Sequence, residues 1–227
     1  AYPDVPIVIG GIEASLRRIA QYDYWSDSVR RSVLVDSGAD ILLYGNAERA
    51  LCEVAHLLGS GRDIKAAGRL RGTTTIINEA PKGFVEVDST RIDWPNAIDK
   101  LPNPYHYDEG ELDCDRDKEK AQQTEDVVKI IPMPLATKTL SEQAISADNV
   151  YVRLPSFEKV RNDPVLYAHA SRVLHQESNP HNARALMQKH GNREVWVNQP
   201  PIPLSTEEMD GVFALPYQRR PHPSYGD

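Results

Sequence analysis

Cysteine is the scarcest residue in this sequence, with Cys52 and Cys114 the whole complement of 227 positions. Two thiols so far apart in sequence match no zinc or iron–sulfur ligand spacing. At this chain length they do not make a disulfide scaffold either. Long apolar runs are also missing, and nothing approaches the roughly 20 residues of a membrane span. Positive charge is in deficit, with a formal net charge of −7, which speaks against a broad surface for nucleic acid. The opening Ala1-Tyr2-Pro3-Asp4-Val5-Pro6 lacks the basic and then apolar segments of a signal peptide. It runs straight into a buried-looking strand, as though the chain began within a domain. The protein is therefore expected to be cytoplasmic. There is no P-loop, no nucleophile elbow, no metalloprotease helix and no EF-hand. No catalytic residue and no metal ligand is assigned to the chain.

What is present is a repeated unit of strand, glycine and helix. Ile7-Val8-Ile9-Gly10-Gly11 is a short β-branched run closed by glycines, as in a strand covered on both faces. Glu13 to Ala20 reads as a short helix, followed by the turn Tyr22-Asp23-Tyr24-Trp25-Ser26-Asp27 and a possible short strand Val33-Leu34-Val35. Ala39 to Gly45 repeats the first strand, Asn46 is a candidate N-cap, and Leu51, Val54, Ala55 and Leu58 recur at helical spacing until Gly59-Ser60-Gly61. The fold class expected is α/β: a partial parallel-sheet, Rossmann-type unit over 1–62, then a β-hairpin region over 63–92 pairing Thr73–Ile77 with Phe84–Val87. An acidic variable insert follows over 93–149, centred on 108–117, with helical character beginning near Lys118. A helical and proline-rich extension occupies 150–227. Within it lie a strand from Val150, a helix with Asp163 as N-cap and Pro164 at its first position, a second helix from His181 to His190, and a strand at Val195–Asn198. The tail carrying Pro200, Pro201, Pro203, Pro216, Pro221 and Pro223 reads as extended and stiff.

The candidate binding residues gather where the strands end. Gly10, Gly11 and Gly45, with Asn46, stand where ligands of α/β sheets bind; the other reading of each glycine is a tight turn that needs positive φ. Glu13, Arg17 and Arg18 follow the first glycines, and Glu48 and Arg49 the second. The arginines suit a carboxylate or phosphate, or else cover a helix face as ordinary ion pairs. Tyr24 and Trp25 suit an interdomain or substrate-facing wall, or a packed loop. His169, His175, His181 and His190 lack metal-ligand spacing, and His169 reads as a packed histidine on an apolar helix face.

Three strings carry a resemblance. They are Pro6-Ile7-Val8-Ile9-Gly10-Gly11-Ile12-Glu13-Ala14-Ser15-Leu16-Arg17-Arg18 with Tyr22-Asp23-Tyr24-Trp25-Ser26-Asp27; Leu43-Tyr44-Gly45-Asn46-Ala47-Glu48-Arg49-Ala50; and Asp163-Pro164-Val165-Leu166-Tyr167-Ala168-His169-Ala170-Ser171-Arg172 with Leu215-Pro216-Tyr217 and Pro221-His222-Pro223-Ser224-Tyr225-Gly226-Asp227. Together they resemble the YgiQ family of radical SAM (S-adenosylmethionine) proteins, over nearly the whole chain and most weakly around 105–145. The resemblance implies an N-terminal domain ahead of a radical SAM core, with the three-cysteine motif beyond residue 227. It implies a [4Fe–4S] cluster and S-adenosylmethionine in the full-length protein and no cofactor on this segment alone. The first half is similar to the later part of a cobalamin-binding-type domain. The usual lower-ligand histidine motif belongs to an earlier strand that the chain lacks, which argues against cobalamin. The implied role is to shape or shield the active site of the downstream core, for a small-molecule or unknown substrate. The alternative is a non-catalytic α/β module that binds a small ligand or a partner.

Overall fold

The structure is a computed structural model that describes residues 5–96, 149–216 and Ser224. The described residues fall in one unit drawn from 1–97 and 145–227. The centre of the acidic insert, its expected helix near Lys118, and the tail prolines Pro221 and Pro223 lie outside the described residues.

The first strand, β1 (Val8–Ile9), lies parallel to β4 (Ile41–Leu43), with Val8 opposite Ile41. The parallel pair expected from the repeated unit is thus formed. Between them run α1 (Ile12–Leu16), the antiparallel hairpin β2 (Gln21–Asp23) and β3 (Ser28–Arg30), and α2 (Val33–Ser37). Then come α3 (Glu48–Gly59), a 3₁₀ turn at Ile64–Arg69, β5 (Thr73–Ile77), β6 (Val85–Asp88) and a second 3₁₀ turn at Ser89–Arg91. After the insert the chain forms β7 (Val150–Arg153), α4 (Phe157–Asn162), α5 (Pro164–Gln176), β8 (Ala185–His190), β9 (Arg193–Val197) and α6 (Thr206–Phe213).

Seven strands make one mixed sheet in the order β1-β4-β5-β9-β8-β7-β6. Strands β1, β4 and β9 run one way and β5, β8, β7 and β6 the other. Both faces of the central strands are covered, so their side chains alternate between two apolar layers. Leu42, Val152, Leu186, Val195 and Val197 meet Ala14, Leu34 and Val173 on one side. On the other, Ile41 and Leu43 meet Ala50 and Val54 of α3, while Trp196 packs with Tyr151, Ala185 and Met187.

Several sequence expectations are corrected. The strands β5 and β6 form, but not as a hairpin: β5 pairs with β4 and β9, whereas β6 lies at the far edge beside β7. Val33–Val35 is helical, because the chain must turn within Val33–Ser37 and bury Leu34; Gly38 then ends the turn with left-handed backbone at φ 68°. The segment 185–190 is a strand, not part of a helix, despite its helix-forming Ala, Leu, Met, Gln and Lys. It is gripped by β7 and β9 and buries Ala185, Leu186 and Met187, and tertiary pairing overrides propensity. Asn46 does not cap α3; Ala47 takes that position without a side-chain cap. The tail is not extended throughout. Ser205 and Glu208 form a reciprocal capping box that starts α6. The helix α5 matches expectation, with Asp163 accepting from the N–H groups of Val165 and Leu166 and Pro164 in the first turn.

Candidate functional site

Because β1, β4 and β9 point the same way, their carboxyl ends share one edge of the sheet. Three glycine-bearing loops meet there. Gly11 has φ 94°, a conformation that disfavours a Cβ, and it occupies the N-cap position of α1. Its carbonyl accepts from the Ser15 hydroxyl at 2.9 Å, and the Ser15 oxygen accepts from the Gly45 N–H at 3.2 Å. Ser15 therefore ties the loop after β1 to the loop after β4. Gly45 also has left-handed backbone, and a Cβ there would stand 3.2 Å from Pro201. Gly72, at the start of β5, meets Pro201 at the same distance. Gly10 is different: a Cβ there meets Leu43 at ordinary contact, 3.5 Å and beyond.

The chain leaving β9 closes over this edge. Tyr44 donates its hydroxyl to the Asn198 carbonyl, and its N–H to Gly72. Asn198 is a buried hub: its Oδ1 accepts from the Trp196 indole at 2.8 Å, and its Nδ2 donates to Gly68 O and Thr73 Oγ1, each at 2.8 Å. Arg49 holds the following segment, donating to the Ile202 carbonyl and making two bonds, of 3.0 and 2.6 Å, to the Glu208 carboxylate. That bidentate contact, led by the Arg49 guanidinium, lowers the Glu208 carboxyl to a pKa of about 2.

The two adjacent arginines divide sharply. Arg17 is neutralised by Glu13 at 3.2 Å and Asp36 at 2.8 Å, and also donates to the Arg31 carbonyl. Arg18 has no carboxylate partner among the described residues. Its guanidinium lies 4.7 Å from the centre of the Tyr44 ring and donates to the Ser15 carbonyl, while its Nε, like that of Arg17, is buried without a hydrogen-bond partner. A cation over an aromatic face is favourable, yet burial still lowers the Arg18 pKa, the Tyr44 contact raising it only in part. Burial and the nearby cation act oppositely on the Tyr44 hydroxyl; burial wins and raises its pKa.

Of the residues singled out from sequence, Gly10, Gly11, Glu13, Arg18, Gly45, Asn46, Glu48 and Arg49 lie on or beside this edge, whereas the Arg17 guanidinium turns toward Asp36 and Arg31, which lie near His190 at the other end of the sheet. Asn46 and Glu48 are exposed there. Tyr24 and Trp25 do not join them. Their hairpin springs from Ala20, whose N–H donates to Gln188 toward the other end of the sheet. The sequence alone does not single out Ser15, Tyr44, Asn198 or Pro201. Each acts through a partner distant in sequence, and only the Gly45 conformation had a local signal.

Metal-ligating chemistry is sparse. Among the described residues no three His, Cys, Asp or Glu side chains converge. Cys52 is an exposed thiol on α3, so the donors here do not fit an iron–sulfur cluster. His169 is indeed packed, fully buried on α5. Its Nδ1 lies 2.7 Å from Asp93 and its Nε2 2.9 Å from the Ser89 hydroxyl. This has the connectivity of a hydrolytic triad, but Ser89 is only 2% exposed and offers no nucleophile to a substrate. The trio instead fastens α5 to the turn after β6, with Arg172 on the outer side of Asp93 at 2.8 Å.

Among the described residues no helix is long and apolar enough to cross a membrane. The sequence model of the family described as radical SAM N-terminal matches residues 1–227. The chain is 56% identical over its whole length to the UPF0313 protein YgiQ of Escherichia coli, covering 29% of that protein. It is equally similar, at 56%, to a UPF0313 protein of Pseudomonas aeruginosa, of which it covers 30%. A UPF0313 protein of Vibrio parahaemolyticus is again 56% identical, with 27% covered. The chain thus spans about 30% of the length of these relatives. No solved structure matches it. On the whole-length match, the chain belongs to the radical SAM N-terminal family, as the N-terminal segment of a YgiQ-type UPF0313 protein.

Proposed function

We propose that this chain is the N-terminal domain of a radical SAM iron–sulfur enzyme, and that its carboxyl edge shapes and shields the active site of the core that follows. The match of the family model over the whole chain carries this reading. Two features of the edge support it. Ile12 and Leu16 of α1 are 82% and 52% exposed beside the glycine loops, an apolar surface suited to being covered. Among the described residues Arg18 has no carboxylate, only the Tyr44 ring and the Ser15 carbonyl, and a half-buried charge gains from an anionic partner. The residues proposed to face the core or its substrate are Gly10, Gly11, Glu13, Arg18, Gly45, Asn46, Glu48 and Arg49, with Arg18 the anion-binding group and Arg17, held by Asp36, its structural neighbour.

The cluster and S-adenosylmethionine belong, in this reading, to the core. Held by cysteines of the core, the cluster would supply one-electron reducing chemistry to S-adenosylmethionine there. The present residues contribute exclusion of water and a fixed wall, which protects a reactive intermediate from side reactions. Cysteine number supports this division, because one exposed Cys52 and the distant Cys114 do not supply three clustered thiolates.

The test is iron and sulfide analysis with an ultraviolet–visible spectrum of the anaerobically reconstituted full-length protein. A [4Fe–4S] cluster that survives Cys52→Ala and Cys114→Ala, and is lost when the three downstream cysteines become alanine, is the expected result. A full-length protein that holds no cluster would favour a non-catalytic module in which the Arg18 edge binds an anionic ligand.

A further inference from the structure

The β2–β3 hairpin carries the most exposed aromatic pair among the described residues. Tyr24 is 69% exposed and Trp25 84%. Their rings lie against each other, with centroids 4.9 Å apart and planes inclined by 32°. Among the described residues neither the Trp25 indole N–H nor the Tyr24 hydroxyl has a hydrogen-bond partner. Single exposed apolar residues are common on protein surfaces, but an indole packed at a tilt against a tyrosine presents a wider apolar area with two polar tips, the composition favoured at interfaces.

The turn that presents this pair is held rigidly. Asp23 accepts from the Trp25 N–H at 3.1 Å, from the Ser26 hydroxyl at 2.9 Å and from Arg30 at 3.3 Å. The Tyr22 hydroxyl donates to Asp27 at 2.7 Å. Asp27 has φ 47°, the one non-glycine residue with positive φ among the described residues. Aspartate tolerates this backbone in tight turns, and the Tyr22 bond to its carboxylate holds it there. The base of the hairpin is anchored as firmly. The Tyr22 N–H donates to the Tyr167 hydroxyl at 3.1 Å, and Val29 packs on the cluster of Ala20, Phe157, Val160 and Ala170. An aromatic tip held in one shape before contact loses little conformational entropy on burial.

We infer that the Tyr24–Trp25 tip is a docking wedge that seats in the radical SAM core of the same polypeptide, at a contact separate from the glycine edge. The relatives are more than three times as long as this chain, which covers 30% of one of them. The rest of that polypeptide is tethered to the domain, so its effective concentration far exceeds that of any free partner. The receiving surface has a defined chemistry: an apolar slot sized for an indole, with a carbonyl or carboxylate oxygen that accepts the Trp25 N–H. Buried tryptophan and tyrosine are typical centres of binding energy in such contacts.

This inference rests on the proposed function only for its choice of occupant. Acrylamide quenching tests it on the full-length protein, with Trp25 isolated as the difference between wild type and Trp25→Phe, a change that keeps an aromatic ring in the turn. The expected result is a quenching constant for Trp25 several-fold below that of N-acetyltryptophanamide, unchanged on dilution. Quenching equal to the free indole amide overturns the wedge. Shielding that disappears on dilution assigns the tip to a second copy and also overturns it. Iron and sulfide content is measured on the same sample. A cluster present with an accessible Trp25 overturns the wedge alone, whereas a cluster-free protein overturns the function proposed above.

Discussion

At the residue scale, the two neighbouring arginines separate stability from function. Arg17 is fixed by two carboxylates and a carbonyl. Its replacement by alanine leaves Asp36 with only Arg31 as its ion-pair partner among the described residues, and lowers the melting temperature. Arg18 has no acidic partner to strand among the described residues, so, if the proposed function holds, Arg18→Gln costs less stability and more activity of the full-length protein. Thermal unfolding alongside turnover checks this, and equal losses for both variants would refute the division. His190 gives a second prediction, in pH. It is buried against Phe157, with rings 5.5 Å apart, and burial lowers its pKa from 6.5 to about 4. Below pH 6.5 the unfolded chain takes up a proton that the folded one refuses, until about pH 4. Folding stability therefore falls as pH drops through that window, by about 3 kcal/mol at most. Equilibrium unfolding at pH 7, 5 and 4 measures the loss; carboxylates such as Glu208, held below their usual range, add to it, and the His190 share is the part that His190→Phe is expected to remove.

At the scale of elements, the glycine loops make the sharpest comparison. Gly45→Ala forces a Cβ onto left-handed backbone and against Pro201, and is expected to cost about 1–2 kcal/mol. Gly10→Ala meets only ordinary contacts and is expected to be near neutral; chemical denaturation of the two variants decides. Which elements were legible follows the same physics. The strands β1, β4, β7 and β9, and the helices α3 and α5, declare themselves by local signals: apolar runs ended by glycine, helical spacing, the Asp163-Pro164 cap. Pairing is not local. Nothing within Thr73–Ile77 states that β9 will lie beside it, so the nearest strand in sequence, β6, looked like its partner. The segment 185–190 reads as helix from its residue types and becomes strand because two neighbours hold it. Even α6 had a signal, Ser205 three residues before Glu208, masked by the surrounding prolines. The candidate edge was legible in its glycines and arginines. Ser15, Tyr44 and Asn198 were not, because their roles arise when chain segments far apart in sequence meet.

For the whole molecule, the mixed sheet joins strands from Val8 to Val197 into one frame. On the edge where β1, β4 and β9 end, this frame carries paired glycine loops, exposed apolar residues of α1, and the Arg18 cation, which has no carboxylate partner among the described residues. Away from that edge the Tyr24–Trp25 tip projects. Both features suit a domain that completes something larger, in keeping with relatives of which it forms about 30%. We propose that the cluster resides in the core and that this domain encloses it. The most direct measurement is the iron and sulfide content of the full-length protein, compared with its Cys52→Ala/Cys114→Ala variant and with a variant lacking the three downstream cysteines. The account predicts a [4Fe–4S] cluster at full occupancy in the first two and none in the third. Loss of the cluster on removal of Cys52 and Cys114, or its retention without the downstream cysteines, would contradict it.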